Sequence, residues 1–480
     1  MAFIIYGALI VSFPYPLDYG EAPLLDRAMR WTGGKTAYRN GFSSPPYIIT
    51  NYPPLYVLCL LPIMKFAGPT FGLIAGRLLS AVCALLTALV LGLIVHTNTK
   101  DNAAAWGTAL TFVAMPYVVA WAPSFRVDML ALLLSVAGLY AVSRWYHEAW
   151  GLALAALLFA ASAYTRQSYG LAGPMAGFIW VWHKGGFRRA LTLAAIVMFL
   201  GLSAFLLANA LTDGGFAYNV VTANMNSFEW RTVGQWATGV VRKLPVLLLV
   251  ALAWLVVPRE HLPMAPLILP YLLGSILVAG TIGKVGANMN YLLELCAALS
   301  FASSIAYSKD SLIVASVNRI PHHTGALRSV TRCALSLALA VQAAMLLGAD
   351  LRYSVTHLTW RSRAIGELDA LDLLVAAEPD PVIADQAMGL LTLQGRPLYL
   401  QPFEMTQLAV AGIWDQEPLL DEIQAGRFSM IIIHESPFKP TRWTPEMLAA
   451  IDQHYVKAEH LADSTVYRPR SRYTLNGKTE

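Results

Sequence analysis

Long apolar runs recur along most of this 480-residue chain and limit what it can fold into. A helix needs about 20 consecutive apolar residues to cross the hydrocarbon core of a bilayer. Runs that reach or approach that length fall at 70–95, 103–121, 127–143, 150–164, 169–183, 190–210, 244–257, 263–283, 289–307 and 333–349. Charged residues make up 13% of the chain, whereas a soluble domain carries about 25%. The sequence therefore predicts an all-α polytopic membrane protein and excludes a collagen, a coiled coil, a disordered chain and an ordinary cytosolic enzyme.

The last quarter of the chain has a different charge balance. Residues 1–349 hold 22 Lys and Arg against 11 Asp and Glu, whereas residues 350–480 hold 12 against 18. We therefore predict a transmembrane domain at 1–349 and a soluble domain at 350–480. Within the latter, the runs 381–385, 396–401 and 428–435 are typical of strands and alternate with helix-like stretches, which predicts a small α/β domain.

Residues 53–67 are the ambiguous membrane segment. They contain three prolines and a lysine in 15 residues, which favours a juxtamembrane segment over a span. Basic loops at 184–189 and 309–332 then lie inside the cell, as the positive-inside rule requires. The first loop, 14–69, lies outside with the C-terminal domain. About eleven spans result, if the apolar residues 1–13 are the outer part of a first helix whose true start would lie upstream.

Charged and polar side chains collect at the outer side of this predicted topology. Ionisable groups at membrane depth are costly, so each is a functional-site hypothesis. The candidates are Asp18, Glu21, Arg126, Asp128, Arg166, Gln167, Lys284, Asn290, Tyr291 and Glu294. The cations could hold an anionic lipid phosphate by charge-assisted hydrogen bonds, and a neighbouring carboxylate could take a proton from a hydroxyl. The set therefore indicates group transfer from a lipid-phosphate donor.

Each of these side chains also has a purely structural interpretation. Asp18 could be a turn residue, and Glu21 could be a first-turn carboxylate favoured by the helix dipole. Arg126 and Asp128 could cap the helix that follows them. Lys284 could extend towards lipid headgroups.

Cofactor ligands have no clear pattern in the sequence. The four cysteines stand in apolar stretches without a CxxC pair, so neither a disulfide framework nor a structural zinc site is predicted. His322 and His323 stand in a basic loop without a nearby carboxylate cluster, so no metal is assigned to them. Asp18, Glu21 and Asp128 could bind a divalent cation, although no spacing requires one. We therefore expect no required cofactor and keep a divalent cation as an option.

Two motifs resemble a known family. The sequence Pro-Leu-Asp-Tyr-Gly-Glu at 16–21 follows the first helix, and Asn-Tyr-Pro-Pro-Leu-Tyr at 51–56 opens a membrane-associated segment. With the long first loop and Arg77 in Phe-Gly-Leu-Ile-Ala-Gly-Arg, they resemble the GT-C superfamily of glycosyltransferases that use polyprenyl-phosphate sugars. The most similar branch comprises bacterial relatives of the protein O-mannosyltransferase and lipid A aminoarabinose transferase families.

The resemblance implies roles for individual residues. Asp18 would be the catalytic base, with Glu21 as a second candidate in the same motif. Lys284 and Arg166 would contact the donor phosphate. Tyr52, a further substrate-binding candidate, stands before the Pro-Pro pair; the aminoarabinose branch has a lysine there that contacts the phosphate, so this sequence departs from that branch at Tyr52.

The expected function is an inverting transfer of a sugar from a polyprenyl-phosphate donor to a hydroxyl of a glycan, lipid or protein acceptor. The expected location is a bacterial-type inner (cell) membrane, among membrane lipids, with the active site and the C-terminal domain extracytoplasmic; no nucleic-acid partner is expected. A transporter or lipid flippase with an outer ligand-binding domain is the alternative, and it predicts inverted repeats and broken helices near the bilayer midplane. A membrane sensor is a third reading.

Overall fold

The computed structural model describes residues 2–256, 262–307, 326–437 and 439–473. Most of them are helical, as the apolar pattern predicts. The α-helices up to position 377 span Ala2–Ser12, Glu21–Thr32, Leu55–Thr99, Asn102–Val113, Pro116–Trp121, Asp128–Trp145, Ala149–Thr165, Ala172–Gly185, Phe187–Ala210, Gly215–Val220, Trp230–Lys243, Pro245–Val256, Ala265–Gly280, Leu293–Ala302, Ser304–Tyr307 and Ala326–Ala377. Short 3-10 turns lie at Gln167–Gly170, Thr222–Asn224, Thr281–Gly283 and Met289–Leu292.

Among the described residues, five helical segments are long and apolar enough to cross a membrane. A sixth results if Trp230–Lys243 and the helix that follows it, bent by 94°, form one span. Apolar helices such as Ala149–Thr165 fall below the length of a full span. The expectation of about eleven spans therefore stays a prediction. The basic loop residues and the two histidines at 309–323 lie outside the described residues.

The ambiguous segment 53–67 forms the first part of the 45-residue helix Leu55–Thr99. The helical path breaks at Gly68, where φ is 79°. Glycine adopts a positive φ without steric cost, and the following Pro69 disfavours the α conformation in the residue before it. The Gly-Pro pair thus separates the segment predicted to be juxtamembrane from the apolar helix beyond it.

Small residues allow close packing in the apolar part. Asp128–Trp145 packs against Ala149–Thr165 and against Leu55–Thr99. A Cβ at Gly138 would lie 2.5 Å from the Phe159 ring, so only a glycine admits that ring there. Close approach through small residues is typical of helix packing in membranes.

The C-terminal part contains the predicted small α/β unit. Its strands are Val382–Ala384, Met430–His434, Tyr455–Leu461 and Ser464–Pro469. In the sheet order 1-2-4-3, the first two strands are parallel, and the other two neighbouring pairs are antiparallel. Its helices are Met388–Leu393, Pro402–Val410, Glu417–Gln424, Lys439–Arg442, Pro445–His454 and Arg470–Tyr473.

Two of the three predicted strands are confirmed, those at 381–385 and 428–435. The prediction of a strand at 396–401 is wrong: this segment makes a single bridge, from Leu400 to Tyr47 of the first loop. The helix Ala326–Ala377 runs continuously through 349–350, where the domain boundary was predicted.

Candidate functional site

One cavity of about 1590 Å³ lies where three parts of the molecule meet. They are the first loop (14–69), the ends of apolar helices, and the α/β unit at 382–473, called the C-terminal unit below. Most of the predicted site residues line the cavity. They are Asp18, Tyr52, Arg126, Arg166, Gln167, Lys284, Asn290 and Tyr291. These residues come from four separate parts of the chain, and the fold brings them to one cavity.

Asp18 is held at the cavity wall by a short turn and an ion pair. Its Oδ2 accepts a hydrogen bond from the backbone N–H of Gly20 and another from Arg126 Nη1, both at 2.9 Å. The Asp18 side chain is 32% exposed, so a ligand in the cavity can reach it. Arg126 Nη2 also donates to the hydroxyl of Tyr52 at 3.2 Å, and its guanidinium lies 5.2 Å from the centre of the Trp121 ring.

Arg166 is nearly buried and already has a counter-charge. It forms an ion pair with Asp128, and the two side chains are 3% and 1% exposed. Trp121 Nε1 donates to the other carboxylate oxygen of Asp128 at 2.8 Å. With its amide oxygen turned towards the guanidinium, Asn290 accepts hydrogen bonds from Arg166 at 2.8 and 3.2 Å. The ring of Tyr291 lies 4.5 Å from the guanidinium. Arg166 therefore offers hydrogen bonds to the cavity but little net charge.

Lys284 is a different kind of cation. Its Nζ donates to the backbone carbonyl of Asn224 and, at 2.9 Å, to the side-chain oxygen of the same residue. In the described part of the chain no carboxylate lies within ion-pairing distance of it. Burial, and then the charge of Arg166, lower the pKa of Lys284 to about 8. A partly buried cation without a counter-charge favours an anionic ligand.

Gln167 lines the cavity, but its amide nitrogen donates its hydrogen bonds to backbone carbonyls. Its Nε2 donates to the carbonyl of Asn51 at 2.9 Å and to that of Val220 at 3.3 Å. It thus connects the end of Ala149–Thr165 to two loops of the cavity wall.

Three predicted site residues lie behind the cavity wall and do not line it: Glu21, Asp128 and Glu294. Glu21 is fully buried with Arg77, whose Nη2 lies 2.7 Å from its carboxylate. Burial alone would raise the pKa of Glu21, but the charge and hydrogen bonds of Arg77 and two backbone N–H groups hold it below its usual value. Glu294 is 1% exposed and hydrogen-bonds Ser135 at 3.4 Å.

The three carboxylates considered for a divalent cation do not converge. Each lies against a different arginine. The pairs are Asp18–Arg126, Glu21–Arg77 and Asp128–Arg166. Across the residues that the structure describes, no group of three or more His, Cys, Asp or Glu side chains is placed to hold a metal ion. These carboxylates therefore do not fit a shared metal site.

Several lining residues were not singled out in the sequence. They include Tyr19, Asn224, Gln401, Phe403, Glu404 and Arg442. Asn224 falls in a loop without a recognisable motif. The last four belong to the C-terminal unit. No local sequence pattern indicates which of its loops faces the apolar helices of residues 1–307, called the membrane part below.

Comparison with known proteins identifies the architecture. The fold is similar to those of solved structures of ArnT and of an archaeal oligosaccharyltransferase, in agreement with the architecture that the resemblance in the sequence implies. The structure is similar to ArnT from Cupriavidus metallidurans bound to undecaprenyl phosphate, with a TM-score of 0.65 and 14% identity over 97% of this chain and 96% of that chain.

It is also similar to the archaeal oligosaccharyltransferase AglB from Archaeoglobus fulgidus in complex with an inhibitory peptide and a dolichol-phosphate. The TM-score is 0.55 and the identity 11%, over 95% of this chain and 72% of that chain. The Archaeoglobus fulgidus oligosaccharyltransferase in complex with Zn and sulfate gives a TM-score of 0.51 at 11% identity, over 95% and 71% of the two chains. No protein-family model and no curated protein matches the sequence.

Proposed function

We propose that this chain is an integral membrane glycosyltransferase that moves a sugar from a polyprenyl-phosphate donor to an acceptor hydroxyl. The observation that carries the proposal is that one cavity is lined both by an accessible carboxylate, Asp18, and by a cation, Lys284, that has no carboxylate partner among the described residues. The shared fold adds support, because the similar structures were bound to undecaprenyl phosphate and to dolichol-phosphate.

Lys284 is the proposed main ligand of the donor phosphate. Its charge has no carboxylate partner among the described residues, so a phosphate that binds it replaces only the contacts to Asn224. Arg166 would add directed hydrogen bonds, since Asp128 already neutralises its charge. Both groups would stabilise the negative charge that grows on the phosphate as it departs.

Asp18 is the proposed general base. An acceptor hydroxyl attacks the anomeric carbon, the bond from that carbon to the phosphate oxygen breaks, and Asp18 takes the hydroxyl proton. The polyprenyl phosphate leaves, and a direct displacement inverts the anomeric configuration. Arg126 donates a hydrogen bond to Oδ2, which orients the carboxylate. Glu21 we assign to holding the first loop in place, because Arg77 occupies its buried carboxylate.

The acceptor is proposed to meet the donor on the extracytoplasmic side of a bacterial-type cell membrane. The candidate span Phe187–Ala210 begins at the basic cluster 184–189, and the chain that follows its other end reaches the cavity residues Val220 and Val221. If that cluster lies inside the cell, as the positive-inside rule favours, the cavity and the C-terminal unit lie outside. The acceptor, whether glycan, lipid or protein, would then belong to the cell envelope.

The test is transfer by purified protein in lipid nanodiscs, with radiolabelled polyprenyl-phosphate sugars and cell-envelope extract as acceptor. General-base catalysis contributes about 10²–10⁴-fold, so Asp18→Asn should lower transfer by at least about 100-fold. Binding of undecaprenyl phosphate should persist. The control is Asp213→Asn, the same change at an exposed aspartate, which should transfer like the wild type. An active Asp18→Asn protein contradicts the proposed base.

The same assay separates the enzyme from the transporter or flippase. A transporter moves the glycolipid and leaves it intact, so no free polyprenyl phosphate appears. Release of polyprenyl phosphate together with a labelled acceptor supports the transferase. With the same protein in sealed proteoliposomes, movement of intact labelled lipid across the bilayer without release of polyprenyl phosphate contradicts it.

A further inference from the structure

The C-terminal unit supplies part of the wall of the same cavity. Its lining residues are Gln401, Phe403, Glu404, Thr441 and Arg442. The mechanism proposed above uses none of them. They bring a further accessible carboxylate and a further cation into a site whose other charged groups belong to residues 1–307.

Glu404 is connected directly to the motif that carries Asp18. It lies in the first turn of Pro402–Val410, and its Oε2 accepts a hydrogen bond from the hydroxyl of Tyr19 at 2.8 Å. That hydroxyl in turn accepts one from the backbone N–H of Phe403 at 3.0 Å. A carboxylate offers about four acceptor positions; Tyr19 fills one, and the backbone N–H of Glu404 itself and the Gln401 amide also hydrogen-bond the group. Glu404 is only partly buried, so a ligand can reach it.

Aromatic and cationic groups surround this carboxylate. The rings of Tyr19 and Phe403 meet edge to face, 6.3 Å apart. The Arg442 guanidinium lies 5.3 Å from the centre of the Tyr19 ring, and the buried Asp385 holds it at 3.8 Å. Arg442 and Glu404 both line the cavity, so a cation and a hydrogen-bond acceptor border it beside aromatic surface.

Such a combination suits a carbohydrate ring. Carboxylate and guanidinium groups are planar and can bind two neighbouring hydroxyls at once. An aromatic ring can pack against the C–H face of a sugar, as apolar surface does in most small-molecule sites. Burial raises the pKa of Glu404 to about 7, against the hydrogen bond from Tyr19 and the charge of Arg126. The group can therefore accept from a hydroxyl or donate to one near neutral pH.

We propose that Glu404, together with Tyr19 and Arg442, forms a carbohydrate-binding subsite of the cavity, in which the Glu404 carboxyl group binds hydroxyls of a sugar ring. The inference rests on the proposed function, because a glycosyl transfer beside Asp18 places a sugar next to Tyr19. The bound ring belongs to the donor or to a sugar unit of the acceptor, and the chemistry of recognition is the same for both.

Saturation-transfer difference NMR on the full-length protein in detergent tests the subsite. The probes are five free sugars: D-glucose, D-galactose, D-mannose, D-xylose and N-acetyl-D-glucosamine. At least one should give a signal in the wild type that falls at least fivefold in Glu404→Gln and decreases in Tyr19→Phe. The matched control is Glu417→Gln, which changes the first-turn glutamate of an exposed helix end in the same unit. Its signal should equal that of the wild type.

A second arm identifies the source of the ring. Undecaprenyl phosphate carrying the sugar with the strongest signal is added as a competitor. Loss of the free-sugar signal assigns the subsite to the donor sugar, whereas an unchanged signal with the glycolipid bound assigns it to the acceptor. Both results support the subsite.

Binding of undecaprenyl phosphate alone, measured on the same samples, separates the two proposals. If Glu404→Gln retains that binding and loses the sugar signal, the variant is folded and the subsite is supported. If no probe gives a signal in the wild type, or if the signal does not depend on Glu404, the subsite is refuted while retained lipid-phosphate binding leaves the proposed function standing. If the wild type does not bind undecaprenyl phosphate, the proposed function fails, and this subsite fails with it.

Discussion

Arg126 and Gly20 together determine the position of the Asp18 carboxylate at the cavity wall. The carboxylate is fixed by Arg126, and Gly20 leaves room for that arginine. A Cβ built on Gly20 would lie 1.3 Å from Arg126 Nη1. The backbone of Gly20 has φ −77°, which any residue adopts. The glycine is therefore required for space at the site and not for its backbone conformation.

Gly20→Ala should displace the Arg126 guanidinium while both charged residues remain. A displacement of about 1 Å near the reacting groups can cost about 100-fold in rate, so we expect transfer to fall by about 10- to 100-fold. Steady-state transfer kinetics in nanodiscs are the measurement, with Gly366→Ala as the control, because a Cβ there meets no atom within 4 Å. Wild-type rates in Gly20→Ala would mean that the Asp18–Arg126 geometry is not needed.

Lys284 should make lipid-phosphate binding depend on pH. It lies between the apolar segments Ala265–Gly283 and Met289–Tyr307, and its pKa is lowered to about 8. The charged form binds the anion and is present below that pH, so affinity is lost as the pH rises through 8. Between pH 7 and pH 9 the Kd for undecaprenyl phosphate should rise about tenfold, from the fraction of a one-proton group that is charged.

Lys284→Arg provides the control, because arginine keeps its charge throughout this range. Its Kd should stay nearly flat between pH 7 and pH 9 in the same binding assay. Equal pH dependence in the wild type and in Lys284→Arg would show that another group titrates, and Lys284 would lose its assigned role.

At the scale of single residues, the sequence indicates candidate site residues because an ionisable side chain at membrane depth is costly in free energy. That argument finds Asp18, Arg126, Arg166 and Lys284, because each stands at the end of an apolar run. It does not reveal which charges neutralise one another inside the wall. It also misses Glu404, because the approach of the C-terminal unit to the first loop is a tertiary contact with no local signature.

On the scale of whole elements, the buried pair of Glu21 and Arg77 joins the first loop to the long helix Leu55–Thr99. Arg77 also donates to the backbone carbonyls of Ile10, Phe13 and Tyr15. One guanidinium thus holds the end of the first helix, the start of the loop and the helix Glu21–Thr32 together. This explains why the acidic motif contains two carboxylates, although only Asp18 faces the cavity.

Glu21→Gln should destabilise the protein, because Arg77 would remain buried without a counter-charge. Removing one partner of a buried ion pair costs about 3–5 kcal/mol. Thermal unfolding in detergent is the measurement, and Glu148→Gln, which alters a half-exposed glutamate, is the control. If the two variants unfold at the same temperature, the buried pair does not anchor the loop.

The secondary structure was predictable where a run is apolar and bounded by turns. The buried strand Met430–His434 fits that pattern. The hairpin of Tyr455–Leu461 and Ser464–Pro469 was missed, since the first strand is largely polar and the turn is Ala462-Asp463, not a glycine-containing pair. Both turn residues have positive φ, 50° and 56°, a conformation usually indicated by Asn-Gly or Asp-Gly.

Across the whole molecule, the first loop is the layer that joins the membrane part to the C-terminal unit. Tyr47 exchanges backbone hydrogen bonds with the segment 399–401 at 2.8 and 2.9 Å, and Gln401 Oε1 accepts from the N–H of Ile49 at 3.0 Å. Trp414 Nε1 donates to the carbonyl of Phe42 at 3.0 Å. The backbone of the segment 396–401 therefore forms hydrogen bonds with the first loop and not with the sheet. This is why the segment is not a strand.

The contact between the first loop and the segment 396–401 can be tested at Asp26. It is 1% exposed, its Oδ1 accepts from the N–H of Leu398 at 2.9 Å, and its Oδ2 accepts from Arg30 Nε at 2.6 Å. Asp26→Ala would leave a buried N–H without an acceptor, at a cost of about 1–3 kcal/mol. Since 1.4 kcal/mol is a factor of ten, amide hydrogen exchange in 396–403 should accelerate by about tenfold or more.

Hydrogen-exchange mass spectrometry on the full chain measures this effect, and the transfer assay on the same samples connects it to activity. The segment 396–403 leads into the helix that carries Glu404. Weakening its contact with the first loop should therefore raise the KM for the substrate whose sugar binds at Glu404. Binding of undecaprenyl phosphate should stay unchanged. Asp421→Ala, an exposed position on the same unit, should leave both exchange and KM as in the wild type. Unchanged exchange in 396–403 of Asp26→Ala would mean that the C-terminal unit is held to the membrane part by other contacts, and that Asp26 and Arg30 do not couple it to the cavity.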